Sequence, residues 1–232
     1  MARSPDYQRD GITLYCGDCL EILPEIGPVD AVVTDPPYGI GDRLTRGGTG
    51  SGCFTGMIGS GADTWDVAPE EAVFNAPLAM SRHQIIWGGN FFRLPPCHKP
   101  LCWDKIRPNQ RNTSEWEYAW TSLTGRAQKF DYCGNAGFVS REPRVHPTQK
   151  PLPLIAWCLS LLPDCKSVFD PYMGSGTTGV ACVQMARRFT GIELERKYFD
   201  AAVKRIDAAL DTDRDSLWTA KQLAEQQRPL FE

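Results

Sequence analysis

The stretch SVFDPYMGSGTT, residues 167–178, decides the fold. Ser167–Asp170 is a short apolar run ending in an acid and reads as a buried strand. Gly174 and Gly176 permit a tight turn and a close backbone approach to a ligand. Thr177–Ala186 then reads as a helix and Phe189–Ile192 as the next strand. Strand, glycine turn, helix and strand make a parallel βαβ unit. In such sheets ligands bind beyond the carboxyl ends of the strands.

The turn lacks the Gly-Lys-Ser/Thr of a phosphate loop. Asp170 at the strand end would repel phosphate and welcome an α-amino group. At the end of the following strand, Glu193 can accept two hydrogen bonds from ribose hydroxyls. A ligand with a ribose, an amino-acid end and no phosphate is S-adenosylmethionine.

Working outward, Leu152–Leu162 reads as an apolar helix stopped by Pro163, and Lys197–Leu210 as an amphipathic helix. Upstream, Ile12–Cys16, Val29–Thr34, Gln84–Trp87, Trp103 and Trp116–Thr121 read as strands. Cys19–Leu23 reads as a helical turn and Pro69–Ser81 as a helix. The alternation predicts an α/β fold with a mostly parallel, doubly wound sheet. One domain over 1–232 is expected, with loop inserts at about 39–63 and 93–145 and a C-terminal helix and tail over 216–232. Residues 122–150, rich in Gly, Pro and basic groups, read as a surface loop.

The 232 residues are 42% hydrophobic and 23% charged, which excludes wholesale disorder and a fibrous protein. No run approaches the roughly 18 apolar residues of a membrane helix, and the N-terminus lacks a signal-peptide core. A cytoplasmic protein is the expectation. Nine cysteines are an odd number for a disulfide framework. Cys16 and Cys19 form a CxxC whose only candidate partners, Cys97, His98 and Cys102, are poorly spaced, so no metal is expected. Between Arg82 and Lys150 stand eleven Lys/Arg against five acids, while the whole chain carries −3. That local excess suits either a polyanion-binding face or a scattered solvated surface.

Asp35-Pro36-Pro37-Tyr38 directly follows the strand VDAVVT (29–34) and so lies where a site belongs. Pro36 and Pro37 fix φ and lack N–H groups, so the turn presents acceptors. The Asp35 carboxylate and nearby carbonyls, beside the flat Tyr38 ring, suit a planar ligand bearing an NH2 group. An exocyclic amine on a nucleobase is such a ligand.

DPPY (35–38), HPTQKP (146–151) and FDPYMGSGTT (169–178) together resemble the DNA amino-methyltransferases that modify adenine N6 or cytosine N4. The opening YCGDCLEILPEI (15–26) is also similar to the family's N-terminal element, and coverage runs from about Ile12 to Leu210. DPPY precedes the glycine-rich element, as in the circularly permuted "beta" order. The resemblance implies a Rossmann-like S-adenosylmethionine-dependent methyltransferase fold. It implies that Asp170, Pro171, Gly174, Ser175, Gly176, Thr177 and Thr178 cradle the methionine part of the cofactor. Glu193 would hold the ribose, and Asp18 with Cys19 the adenine. Thr148 and Lys150 would lie near the cofactor carboxylate, although Lys150 also fits a solvated loop lysine. Asp35, Pro36, Pro37 and Tyr38 would hold the target base and catalyse transfer.

By resemblance, an acid at the first position of the turn goes with adenine N6; cytosine N4 is the alternative. Methylation of RNA or of a protein amide, and a non-catalytic DNA-binding module, complete the set. The target base must leave the duplex. Ile85–Phe92 resembles an element near the family's base pocket, and Ile85–Trp87 reads equally as a core strand. The segments 39–63, with Arg43 and Arg46, and 93–145, with Lys99, Lys105, Arg107 and Arg111, are the candidate contacts to double-stranded DNA. Help from a second subunit, in a homodimer, is compatible with so small a recognition region. The tail Gln227-Arg228-Pro229-Leu230-Phe231 is similar to peptides that dock on replication sliding clamps, or packs on its own domain. A host enzyme, a restriction-modification partner and a mobile-element orphan read alike.

Overall fold

Val29–Thr34 is buried over its last four residues, as a strand covered on both faces must be. It lies in the middle of the sheet of a computed structural model that describes residues 3–39, 71–106, 114–133 and 149–212. Nine strands among these form that sheet: β1 Tyr7–Arg9, β2 Ile12–Cys16, β3 Val29–Thr34, β4 Ser81–Trp87, β5 Leu101–Asp104, β6 Trp116–Thr121, β7 Gln128–Asp131, β8 Ser167–Asp170 and β9 Arg188–Glu193. Their spatial order is β1-β2-β9-β8-β3-β4-β6-β5-β7. Strands β2, β9, β8, β3 and β4 run parallel. β6 is reversed, antiparallel to both β4 and β5. β1 is antiparallel to β2, and β7 parallel to β5. The sheet is thus the mostly parallel, doubly wound one that the strand–helix alternation predicts.

Side-chain alternation assigns the two faces. Ile12, Leu14, Ala31, Val33, Ile85, Trp87 and Val168 pack with Leu154, Val180 and Phe199 on one face. These last three belong to the helices α3 Leu152–Ser160, α4 Thr177–Gln184 and α5 Arg196–Asp211, which pack side by side. α3 buries seven of its nine residues, whereas α5 buries only the stripe Phe199, Ala202 and Ile206. On the other face Val32 and Phe169 pack with Cys19 and Ile22 of α1 Cys19–Ile22. Ile86 packs there with Phe74 of α2 Glu71–Met80. No described helix is long and apolar enough to cross a membrane.

The chain order folds into two halves that meet at β3 and β8. From β3 the chain proceeds outward to β4; from β8 it proceeds the other way to β9. Two aspartates fasten this seam. At one end the Asp30 carboxylate accepts from the Lys166 and Ser167 N–H groups and the Ser167 hydroxyl, at 2.8–2.9 Å. At the other end the Thr34 hydroxyl donates to Asp170 at 2.7 Å.

One sequence expectation needs correction. Residues 122–150 are not loop throughout, because Gln128–Asp131 pairs along Leu101–Asp104 as β7. Within 93–145 the strands expected at Trp103 and Trp116–Thr121 are present as β5 and β6, and with β7 they extend the central sheet. The loop from residue 40 onward to 63 and the expected helix Ser216–Gln226 lie outside the described residues.

Candidate active site

The carboxyl ends of β3, β4, β8 and β9 share one edge of the sheet. Beyond β3, Asp35 receives two short hydrogen bonds. The Tyr38 hydroxyl donates to its Oδ1 at 2.5 Å and the Lys150 ammonium to its Oδ2 at 2.5 Å. The same ammonium lies 3.1 Å from Glu117 Oε2 and donates to the Tyr38 hydroxyl oxygen at 3.3 Å. Glu117 in turn is paired with Lys105 at 2.5 Å. Lys150 is buried, with 8% of its side chain exposed. Burial pushes the Asp35 carboxyl above its ordinary range, and Lys150 opposes that push. Burial works against the Lys150 charge as well, yet Asp35 and Glu117 hold its pKa well above the usual lysine value. Burial would also raise Glu117, but Lys150 and Lys105 outweigh it and bring that carboxyl down to about 2.

The Tyr38 ring is stacked on Phe91, with centroids 4.9 Å apart and planes 14° from parallel. Phe92 meets it edge-on at 6.3 Å. The turn after β4 makes room for this ring through Gly88, whose φ is +66°. A Cβ there would lie 2.1 Å from the Tyr38 ring, so no other residue fits without moving it. Phe91 stays 46% exposed and forms the outer wall.

Beyond β8 and β9 the chemistry differs. Asp170 accepts from the Thr34 and Thr178 hydroxyls and from the Tyr172 N–H, at 2.7–3.0 Å, with no cation in contact among the described residues. Burial raises it to about 6 against those hydrogen bonds. Glu193 accepts from the Gly174 N–H at 3.0 Å and the Glu195 N–H at 2.8 Å. Burial brings it up to about 7. Gly174 has φ +54°, and a Cβ built on it meets nothing within 4 Å. Open space therefore lies directly against its backbone, next to a carboxylate with acceptor capacity left. Arg205 of α5 clamps the loop by donating to the Ser175 carbonyl and hydroxyl and to the Thr177 hydroxyl.

The structure brings Asp35, Pro36, Pro37, Tyr38, Asp170, Pro171, Gly174, Ser175, Gly176, Thr177, Thr178 and Glu193 to this edge. Asp18 caps α1, accepting from the Leu20 N–H at 2.8 Å, and stays exposed beside β9. Cys19 donates its thiol to the Tyr172 hydroxyl at 3.4 Å. Lys150, expected near the cofactor carboxylate, is paired with Asp35 and Glu117. Its neighbour Gln149 faces the other half, accepting from the Ser175 hydroxyl at 3.1 Å. Lys105, expected on DNA phosphate, is turned inward: its side chain is 12% exposed and paired with Glu117. Lys99 lies half-buried before β5. Arg43, Arg46, Arg107, Arg111, Thr148 and the tail 227–231 lie outside the described residues. Glu117 and Arg205 carry no motif, whereas Phe91 falls in the Ile85–Phe92 segment singled out in the sequence. Only the reversal of β6 brings Glu117 to this edge, and no local pattern signals that reversal.

The family model for the DNA methylase group N6_N4_Mtase matches residues 63–204. The type II methyltransferase M2.DpnII of Streptococcus pneumoniae is 42% identical over 69 residues, 29% of this chain and 26% of that protein. The type II methyltransferase M.ScaI of Streptomyces caespitosus is 25% identical over 88% of this chain and 84% of its own length. Among solved structures, the M1.HpyAVI–SAM complex aligns with TM-score 0.54 at 24% identity, over 84% of this chain and 99% of that one. The cytosine-N4-specific PvuII DNA methyltransferase aligns with TM-score 0.55 at 14% identity, over 97% and 94%. These likenesses show a Rossmann-like fold shared with S-adenosylmethionine-dependent DNA methyltransferases.

Proposed function

The chain belongs to the N6/N4 DNA methylase family, and from that premise we propose that it transfers a methyl group from S-adenosylmethionine to the exocyclic N6 of adenine in DNA. One observation carries this reading. An acceptor turn, Asp35 to Tyr38, ends one strand, and an open cradle, Gly174 with Glu193, lies at the ends of the next two. The Thr34–Asp170 hydrogen bond ties them together.

The cradle fits the cofactor. The space against Gly174 lets a ligand touch backbone, and Glu193 retains lone pairs for ribose hydroxyls. S-adenosylmethionine supplies, when bound, an electrophilic methyl group on a sulfonium. The protein's task lies with the other reactant. An aromatic amine delocalises its lone pair into the base and attacks poorly. Asp35 and the Pro36 carbonyl, as acceptors of the amine hydrogens, favour a tetrahedral nitrogen whose lone pair is free. Each oxygen of Asp35 has one bond from the protein, leaving capacity for the amine. Positioning and preorganised charge do most of this work. Adenine is favoured because the first residue of the turn is an acid, as the family resemblance implies. The Tyr38 ring, fixed by Phe91 and Gly88, offers the stacking surface for a flipped base.

Nucleoside mass spectrometry tests this. The protein is incubated with S-adenosylmethionine and unmethylated mixed-sequence DNA, beside an Asp35→Ala control. N6-methyladenine that disappears in the control is the expected result. N4-methylcytosine would keep the mechanism and overturn the base; no methylated nucleoside despite cofactor binding would overturn the reading.

A further inference from the structure

We propose that Glu117, which lies in none of the three motifs, is a positioning residue for methyl transfer: it shares the Lys150 ammonium with Asp35, so that Lys150 does not fully offset the Asp35 charge directed at the base amine. The inference rests on Asp35 as acceptor of the amine hydrogens.

The geometry is an alternating row. Lys105 meets Glu117 at 2.5 Å, Glu117 meets Lys150 at 3.1 Å, and Lys150 meets Asp35 at 2.5 Å. Two cations and two anions sum to zero, and Lys150 and Lys105 are nearly enclosed, with side chains 8% and 12% exposed. An ammonium has three donors. Here hydrogen bonds run to Asp35 and the Tyr38 hydroxyl, and Glu117 Oε2 lies 3.1 Å from the same nitrogen as an ion pair. Without Glu117, Lys150 would serve Asp35 alone and the row would carry a surplus positive charge.

That surplus opposes the reaction. During transfer an N–CH3 bond forms as the S–CH3 bond breaks. The amine nitrogen acquires positive charge, then sheds a proton to Asp35 or to water. An Asp35 whose charge is fully offset by Lys150 pulls weakly on the amine hydrogens, and an unbalanced Lys150 repels the charge on nitrogen. Glu117 acts through Lys150 on both. The other groups facing this row stay unchanged in the variants below. They are the Tyr38 hydroxyl, Asp170 on the adjacent strand, which feels the Asp35 charge, and Cys158 of α3, which feels Lys150.

The test compares wild type, Glu117→Gln, Glu117→Asp, Lys105→Met and Asp35→Ala in steady-state methyl transfer to DNA over a range of pH. It adds a carboxyl 13C NMR titration of Asp35 in the protein without cofactor. Glu117→Gln should lower kcat about tenfold or more with KM for DNA unchanged, and Glu117→Asp should recover part of it. Removing the Glu117 charge should move the Asp35 titration to lower pH, and removing the Lys105 charge should move it to higher pH. A merely structural role shifts both alike or neither, and either outcome overturns the proposal. If Glu117→Gln does not fold, the upward shift in Lys105→Met decides. An active wild type, a dead Asp35→Ala and a Glu117→Gln equal to wild type would overturn this inference alone. A wild type without transfer would overturn the reading beneath it as well.

Discussion

Asp35 and Asp170 end adjacent strands, β3 and β8, and are handled in opposite ways. Asp35 touches an ammonium and a phenol. Asp170 touches two threonine hydroxyls and a backbone N–H. A buried carboxylate met by a cation can stay charged and act on a substrate. A buried carboxylate met by neutral donors is drawn towards its protonated form and acts as a bolt. The two strand ends both begin with Asp-Pro, and what meets the carboxylate differs between them; under the proposed function this divides the labour between reaction and architecture.

The largest effect expected from breaking this contrast is at Asp35. Asp35→Ala should slow single-turnover methyl transfer by roughly 10²–10³ or more, with cofactor affinity nearly unchanged. An equal loss of cofactor binding, read by calorimetry, would erase the division. Glu193→Ala, on the other side, should weaken S-adenosylmethionine binding about 10–100-fold, the worth of hydrogen bonds to a charged acceptor, while leaving the Asp35 titration in place. Asp170→Ala strands the Thr34 and Thr178 hydroxyls and the Tyr172 N–H. It should cost about 1–3 kcal/mol of stability in urea unfolding. If activity at saturating cofactor fell as far as in Asp35→Ala, Asp170 would belong with the chemistry. Tyr38→Phe keeps the ring and removes one donor from Asp35. A loss of about 1 kcal/mol or less in kcat/KM is expected.

A pH series sharpens the same contrast. Asp170 and Glu193 titrate at about 6 and about 7 in the folded protein, above their unfolded values. The native state thus binds more protons than the unfolded one between about pH 4 and 7. Their contribution to stability is greatest at the acid end and falls as pH rises through that window. Cofactor affinity should run the other way, rising towards pH 8 as Glu193 ionises and becomes a pure acceptor. Glu193→Gln should flatten that dependence in a fluorescence titration.

Most of the two strand ends was legible in the sequence because each is local. SVFDPYMGSGTT declares a strand, a turn and a helix within 12 residues, and VDAVVTDPPY does the same for a strand and a rigid turn. What joins them was not legible. Glu117 sits at the start of β6, and it reaches the carboxyl edge only because that strand pairs antiparallel with both β4 and β5. Pairing direction is set by partners far away in the chain. The pairing of Lys150 is hidden in the sequence for the same reason: 115 positions separate it from Asp35. β7 escaped notice because QKFD buries a single residue and shows little alternation. Basic residues between Arg82 and Lys150 suggested a DNA face, yet Lys105 is spent on an internal ion pair.

The seam between β3 and β8 bears on how such a chain arises. Its bonds come from side chains of both halves, Asp30 reaching to Lys166 and Ser167, and Thr34 to Asp170. None of them depends on the peptide that leads from one half to the other. A chain that spelled the two halves in the opposite order could therefore form the same bonds, because none of them runs through the connecting peptide.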